Sequence, residues 1–299
     1  LDSNYIIQRS GENFKKLILT FEDDSGRNMC LRPDLTVASC VKYLEENSKD
    51  TAKIYYLGQA YRRSGNSKNS IINDQLGLEI IGSKKKSSDD KEIINTILKS
   101  IKKIKIKKVV VNIGDVSLFK QLIGLLKIPE RWKLRLIRHF WRPNYFEDLL
   151  NRLETNSDID PIAVDLDKKR FSEMKKLNQN QEIAGRKISE ILSRFDKKIR
   201  DPRSFSEGKR TAKIIREFLK INCPIMQMDR YLKNFFIKYN IKKNVIKNEL
   251  PTKSLSKSGY KIIFSTNFGR DIEYYTGMVF EISASKNIQE IARGGRYDD

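Results

Sequence analysis

One histidine and three cysteines in 299 residues leave several kinds of chemistry without the side chains they need. His139 alone could serve as a histidine base or ligand. A Ser-His-Asp triad would have to be built around it, and a His-rich metal centre cannot exist. Cys30, Cys40 and Cys223 form no C-x-x-C pair, and an odd number of distant cysteines is the usage of a reducing compartment. That argues against a structural zinc and against a disulfide framework. No apolar run approaches the roughly eighteen residues that cross a bilayer, so the sequence predicts a soluble, cytoplasmic protein. A chain of this length buries about three-quarters of its unfolded surface, enough for one large domain or two modest ones without a staple. It starts at Leu1 without a methionine and stops just past Gly294-Gly295-Arg296-Tyr297-Asp298, and it reads as a fragment.

Acidic residues are also short: 38 Asp and Glu face 59 Lys and Arg, a formal net charge of +21. Such an excess suggests nucleic acid, because cations release counterions from phosphate. The distribution points elsewhere. Lysines recur at Lys84 to Lys86, Lys99 to Lys108, Lys168 to Lys176 and Lys233 to Lys247, alternating with Ile and Asn instead of clustering with aromatics. We expect no specific nucleic-acid partner and no membrane partner.

Hydrophobic periods divide the chain. Leu17 to Phe21 and Met29 to Arg32 read as a hairpin across an acidic, glycine-containing turn. Val37, Cys40, Val41 and Leu44 then follow a helical spacing that starts after Asp34, a residue able to cap it. Ile54 to Tyr56, Gln59 to Arg63 and Asn73 to Ile81 read as antiparallel strands. Ser88-Asp89-Asp90 can cap a helix that turns Ile93, Ile94, Ile97, Leu98 and Ile101 inward, and Val109 to Ile113 is a buried strand. Helical patterning dominates from Asp115 to about Tyr239, including a helix led by Pro129. Strand signals return at Tyr260 to Thr266 and Thr276 to Ser283. The order is sheet, helices, sheet: an α+β plan with one discontinuous domain.

Chemistry can sit where alternation collects polar groups. In Asn73 to Ile81, Leu76, Leu78 and Ile80 share one face, and Asn73, Gln75, Gly77 and Glu79 share the other. The polar face is either solvated or the floor of a small-molecule site, where glycine admits a ligand and two polar groups bind it. Proline after Arg32 leaves Asp34 and Thr36 at a strand-to-helix corner with oxygens able to accept from an ammonium group. Arg62, at a strand end, could clamp a carboxylate or phosphate. His139, among Trp132, Leu136, Phe140 and Trp141, reads as a packing or surface histidine.

These segments, taken in order with Gly269-Arg270-Asp271-Ile272-Glu273-Tyr274-Tyr275-Thr276-Gly277-Met278-Val279-Phe280-Glu281 and the closing Gly294 to Asp298, resemble the class II histidyl-tRNA synthetase catalytic core. The stretch from Gly114 through Leu126, with Pro129 to Trp132 and Arg138 to Pro143, is more similar to the paralogous family of ATP phosphoribosyltransferase regulatory subunits. The resemblance implies a synthetase-like antiparallel sheet flanked by helices. Residues 1–114 and 250–299 would form the histidine-binding core, with 115–249 a mainly helical insertion.

It also implies roles for single residues. Asp34, Thr36 and Gln75 would receive the ammonium of L-histidine, and Arg62 with Gln75 would hold its carboxylate. Glu79 and Tyr275 would bracket the imidazole, rejecting amino acids that leave those polar groups unpaired. Arg270 corresponds to the arginine that assists activation in synthetases, and Tyr274 belongs to the same histidine motif. A loop or bulge must intervene between Arg270 and Tyr275 to bring both to one face.

Departures from the synthetase pattern bear on nucleotide. Ser64 stands where an acidic residue reads adenine, and the loop Gly65 to Ile72 has no arginine for ATP phosphates. The expectation is a noncatalytic subunit that binds histidine and needs no cofactor or metal. It would work with the catalytic subunit of a short-form ATP phosphoribosyltransferase, as a homodimer within a hetero-oligomer. The alternative is a divergent histidyl-tRNA synthetase.

Overall fold

A computed structural model describes residues 2–3, 6–7, 15–46, 50–63, 71–106, 108–155, 161–177, 182–183, 185–199, 205–241, 249–255, 257–270, 274–284 and 289–298. In chain order these include β1 (Thr20–Glu22), β2 (Asn28–Cys30), α1 (Thr36–Glu45), β3 (Ala52–Tyr61), β4 (Ile72–Ile81), α2 (Lys86–Lys103) and β5 (Val109–Asp115). Then come α3 (Val116–Leu125), α4 (Glu130–Arg138), α5 (Pro143–Thr155), α6 (Pro161–Met174), β6 (Glu182–Ile183), β7 (Arg186–Lys187), α7 (Ile188–Ile199) and α8 (Phe205–Leu219). The chain closes with β8 (Asn222–Pro224), α9 (Met228–Lys238), β9 (Lys261–Ser265), β10 (Met278–Ala284) and β11 (Gln289–Gly295).

Two compact units result. One holds Leu1–Ser117, Asn222–Arg230 and Lys247–Asp299, and the other holds Leu118–Ile221 and Tyr231–Ile246. The short segment carrying β8 thus returns to the first unit from within the stretch that sequence reading assigned to the insertion.

In the first unit a five-stranded sheet has the order β11-β10-β5-β9-β8. β5 lies at its centre, and its unbroken apolar run Val109-Val110-Val111 is what a strand covered on both faces requires. The sheet is antiparallel, as expected, at every pair but one, since β5 and β9 run parallel. Parallel neighbours need a long crossover, and the intervening helices supply it.

Helix α2 buries Asp90, Ile94, Leu98 and Ile101, one stripe at helical spacing. It starts at Lys86, so Asp90 is no cap but a buried carboxylate. In α1 the apolar spacing misleads at Leu44, which is 62 % exposed. The buried member is Tyr43, whose hydroxyl donates to the Asp50 carbonyl at 2.8 Å. The β1–β2 turn follows its sequence: Asp23 Oδ1 accepts from the Ser25 and Arg27 amides, and Gly26 takes φ +76°.

Among the described residues the second unit is helical apart from the β6–β7 hairpin. Phe119 stacks on Phe140 at 4.0 Å, and Phe146 meets both edge-on. Arg216 on α8 joins Glu147, Asn151 and Glu154 on α5. His139 ends α4 half-buried, its ring edge-on to Tyr145 at 4.7 Å. Burial, then Arg142, Arg138 and Arg135, push its pKa down. Among the described residues no helix is long and apolar enough to cross a membrane, and none of the three cysteines is in a disulfide.

Candidate functional site

Alternation gives the two faces of the β3–β4 hairpin opposite chemistry. Register pairs Ile54 with Glu79, Tyr56 with Gly77 and Gly58 with Gln75 on one face. On the other it pairs Tyr55 with Leu78 and Leu57 with Leu76. The polar face is the covered one. Gln75, Gly77 and Glu79 are half-buried, whereas Tyr55, Leu57 and Leu76 are 83 %, 77 % and 73 % exposed.

Gly77 lets Tyr56 lie across the hairpin, because a Cβ at position 77 would stand 2.0 Å from Tyr56 Cζ. From there the Tyr56 hydroxyl donates to Glu79 Oε1 at 2.9 Å and meets Thr36 Oγ1 at 2.9 Å. A second phenol arrives from beyond β11. Tyr297 donates to Glu79 Oε2 at 2.7 Å, and Cys40 Sγ lies 3.5 Å from the Tyr297 hydroxyl. Burial first, then the Glu79 charge, push both phenols up, so both act as neutral donors.

The start of α1 adds a second cluster. The Leu35 amide donates to Gln75 Oε1 at 3.2 Å, and Asp34 Oδ1 accepts from the Val37 amide at 3.1 Å. Asp34 is 4 % exposed. Burial raises its pKa, opposed by the Val37 amide and by the Arg62 guanidinium. Arg62 Nε donates to the Pro33 carbonyl at 2.6 Å, which places that guanidinium at the same corner. A buried carboxyl whose ionised form is disfavoured suits an incoming ammonium group, which would restore the charge.

Tyr274 and Tyr275 pack edge to face at 4.6 Å, with Tyr274 6.2 Å from Tyr297. Burial is the largest cause raising both phenols, that of Tyr275 to about 12. The charges of Asp34 and Glu79 raise them further. Both tyrosines therefore stand in the field of the two carboxylates. Tyr275 also lines a small cleft with Phe268, Gly269, Val279, Phe280, Arg293 and Gly294, which does not include Asp34, Gln75 or Glu79.

The structure thus joins Thr36 to Glu79 through Tyr56, gathers Asp34, Gln75 and Arg62 around the Pro33–Leu35 corner, and sets Tyr274 beside Tyr297. Arg270 is 8 % exposed and donates from Nη1 to Asn267 Oδ1 at 2.8 Å, within its own turn. Ser64 to Ser70, which include most of the expected nucleotide loop, and residues 271–273, within the stretch where a loop or bulge is expected, lie outside the described residues. Sequence reasoning missed Tyr56 and Tyr297. Strand register marks the first, directly across from Gly77 on the Glu79 face, and the second stands in the closing Gly-Gly-Arg-Tyr-Asp motif.

A family model described as histidyl-tRNA synthetase matches residues 3–299. An ATP phosphoribosyltransferase regulatory subunit from Allorhizobium ampelinum is 27% identical over 310 residues, covering 98% of this chain and 82% of that protein. Among solved structures, an ATP phosphoribosyltransferase regulatory subunit/histidyl-tRNA synthetase from Bacillus halodurans aligns at a TM-score of 0.57 and 19% identity. That alignment covers 95% of this chain, which spans 62% of the length of its neighbour. The ATP phosphoribosyl transferase (HisG:HisZ) complex from Thermotoga maritima contains a chain that aligns at 0.50 and 19% identity, covering 94% of this chain and 80% of that one. The fold of these neighbours agrees with the synthetase-like α+β class that the sequence predicts.

Proposed function

Because the chain belongs to the histidyl-tRNA synthetase family, we propose that it is a noncatalytic member of that family. It binds L-histidine and, with a separate catalytic subunit, supports and feedback-regulates a short-form ATP phosphoribosyltransferase in the first step of histidine biosynthesis. The observation that carries this reading is the covered polar face of the hairpin, where Glu79 accepts from Tyr56 and Tyr297 beside the Asp34–Gln75 corner. Asp34, Thr36 and Gln75 take the ammonium, Arg62 with Gln75 holds the carboxylate, and Glu79 with Tyr275 brackets the imidazole. Arg270 and Tyr274 complete the pocket.

Residues 1–114 and 250–299, joined by the β8 segment Asn222–Arg230, serve as the histidine-binding core, and the rest of 115–249 as the helical insertion. The protein works in the cytoplasm, as a homodimer within the hetero-oligomer. The Allorhizobium relative, named a regulatory subunit and matched over nearly the whole chain, supports the assignment. Ser64 and the arginine-free loop after it support the absence of ATP binding.

The test is phosphoribosyl transfer by the complex reconstituted from full-length protein and its catalytic subunit, across a histidine titration. Activity that depends on this protein and falls with histidine is the expected result. In Glu79→Gln, support should persist while inhibition weakens, because an inhibitor shifts an equilibrium only by its differential affinity for the two states. A second reading, a divergent histidyl-tRNA synthetase, is favoured by the description of the matching family model. Histidine-dependent pyrophosphate exchange would establish it and overturn the first.

A further inference from the structure

Glu79 is gripped by two hydroxyls whose hydrogens are already committed. Tyr56 gives its hydrogen to Oε1 at 2.9 Å, and Tyr297 gives its hydrogen to Oε2 at 2.7 Å. A hydroxyl has one hydrogen, so the 2.9 Å contact between Tyr56 and Thr36 must be donated by Thr36. By the same count the contact between Cys40 and Tyr297 is donated by the thiol. Donors therefore converge on Glu79 from both ends of a chain of five groups. Its outer members, Thr36 and Cys40, stand four residues apart on α1, so one helix face supports both phenols.

Each phenol is fixed from behind as well. Tyr56 has its place over Gly77. Tyr297 lies between two anchored neighbours. Arg296 Nη1 donates to Glu249 at 2.7 Å, and Asp298 accepts from Lys86 at 3.0 Å while its amide donates to Thr276 Oγ1 at 2.8 Å. A carboxylate accepts about four hydrogen bonds. Among the described residues two are taken, one on each oxygen, which leaves each oxygen a further acceptor direction.

We propose that Tyr56 and Tyr297 are positioning residues that hold Glu79 by both oxygens, so that its remaining lone pairs select a ligand carrying a ring N–H. The inference rests on the reading of histidine as the ligand. Neither phenol keeps a hydrogen to offer the ligand, so a ring with only acceptor atoms finds no donor at Glu79. Orientation and selectivity then have one origin, the direction in which the hydroxyl chain runs.

A structural role alone, satisfying a half-buried carboxylate, would affect all ligands alike, and calorimetry on the full-length protein separates the two. The probes are L-histidine and 2-thiazolylalanine, an analogue of similar shape without a ring N–H. Tyr56→Phe and Tyr297→Phe should each weaken histidine binding about tenfold, the loss of one hydrogen bond to a charged group, and change binding of the analogue less than about twofold. The preference for histidine then narrows by about the same factor. In a Glu79→Gln background the same substitutions should cost histidine less than about twofold, because the group they position is gone.

Equal losses for both ligands, or losses that persist in Glu79→Gln, would overturn the positioning role while leaving histidine as the ligand. Wild-type protein that does not bind histidine would overturn the ligand reading and the inference with it. The two tyrosines enter from different parts of the chain, so if thermal melts show that one variant is unfolded, the other decides.

Discussion

The inner and outer faces of the β3–β4 hairpin share one backbone and reverse the usual partition of residues. The inner face carries Gln75, Gly77 and Glu79 and is covered by Tyr56, Tyr297 and the start of α1. The outer face carries Tyr55, Leu57 and Leu76, which are exposed, and Leu78, which is half-buried. A buried polar group costs free energy unless it is hydrogen-bonded, and both Glu79 oxygens are bonded here. Under the proposed function this covered polar face is the one that L-histidine meets. Alternation in a sequence says which residues share a face. Which face is covered is decided by what packs on it.

The largest effect should come from closing the inner face at its glycine. In Gly77→Ala the new methyl group would overlap the Tyr56 ring, and we predict a histidine affinity lower by about two decades, near the upper end of an overpacking cost, with a depressed melting temperature. Unchanged binding would break the comparison, because the inner face would then not depend on the close approach of Tyr56. Next in size is Glu79→Gln, which keeps the shape and removes the charge. Its expected cost is about 1.5–3 kcal/mol, one to two decades of histidine affinity by calorimetry.

A smaller effect concerns the segment that carries Tyr297. Asp90 is 5 % exposed, and its carboxyl is pushed up to about 7 by burial, with Arg296 opposing and Asp115, Asp298 and Glu249 adding to the rise. The native protein therefore keeps this proton to higher pH than the unfolded chain, whose carboxyl titrates near about 3.9. Between about pH 4 and 7 the native state binds more protons, so this group's contribution to stability is lost as pH rises. Asp90→Asn should flatten that part of the curve of melting temperature against pH. An unchanged slope would show that Asp90 does not titrate in this window. The smallest effect belongs to the outer face. Leu76→Thr should change histidine affinity less than about twofold and stability by about 0.5 kcal/mol or less.

Local chemistry was legible wherever one residue pattern determines one geometry. The Asp23–Arg27 turn, the α2 stripe through Ile94, Leu98 and Ile101, and the apolar centre strand β5 follow from spacing and turn residues. Pairing between distant segments was not legible. The parallel partnership of β5 with β9, the turning of Tyr43 rather than Leu44 into the core, and the meeting of Tyr297 with Glu79 depend on neighbours far away in sequence. At the candidate site, Gln75 and Glu79 were singled out because alternation collects them on one polar face, and Asp34 and Thr36 because they stand at a strand-to-helix corner. Tyr56 was missed because a tyrosine in a strand looks ordinary until register sets it opposite a glycine.

The central claim is that the inner face receives an amino acid and that the nucleotide contacts of a synthetase are gone. Calorimetric titration of the full-length wild-type protein with L-histidine and, separately, with ATP tests it most directly. The account predicts saturable binding of histidine and none of ATP. Binding of ATP, or failure of histidine to bind, would contradict it.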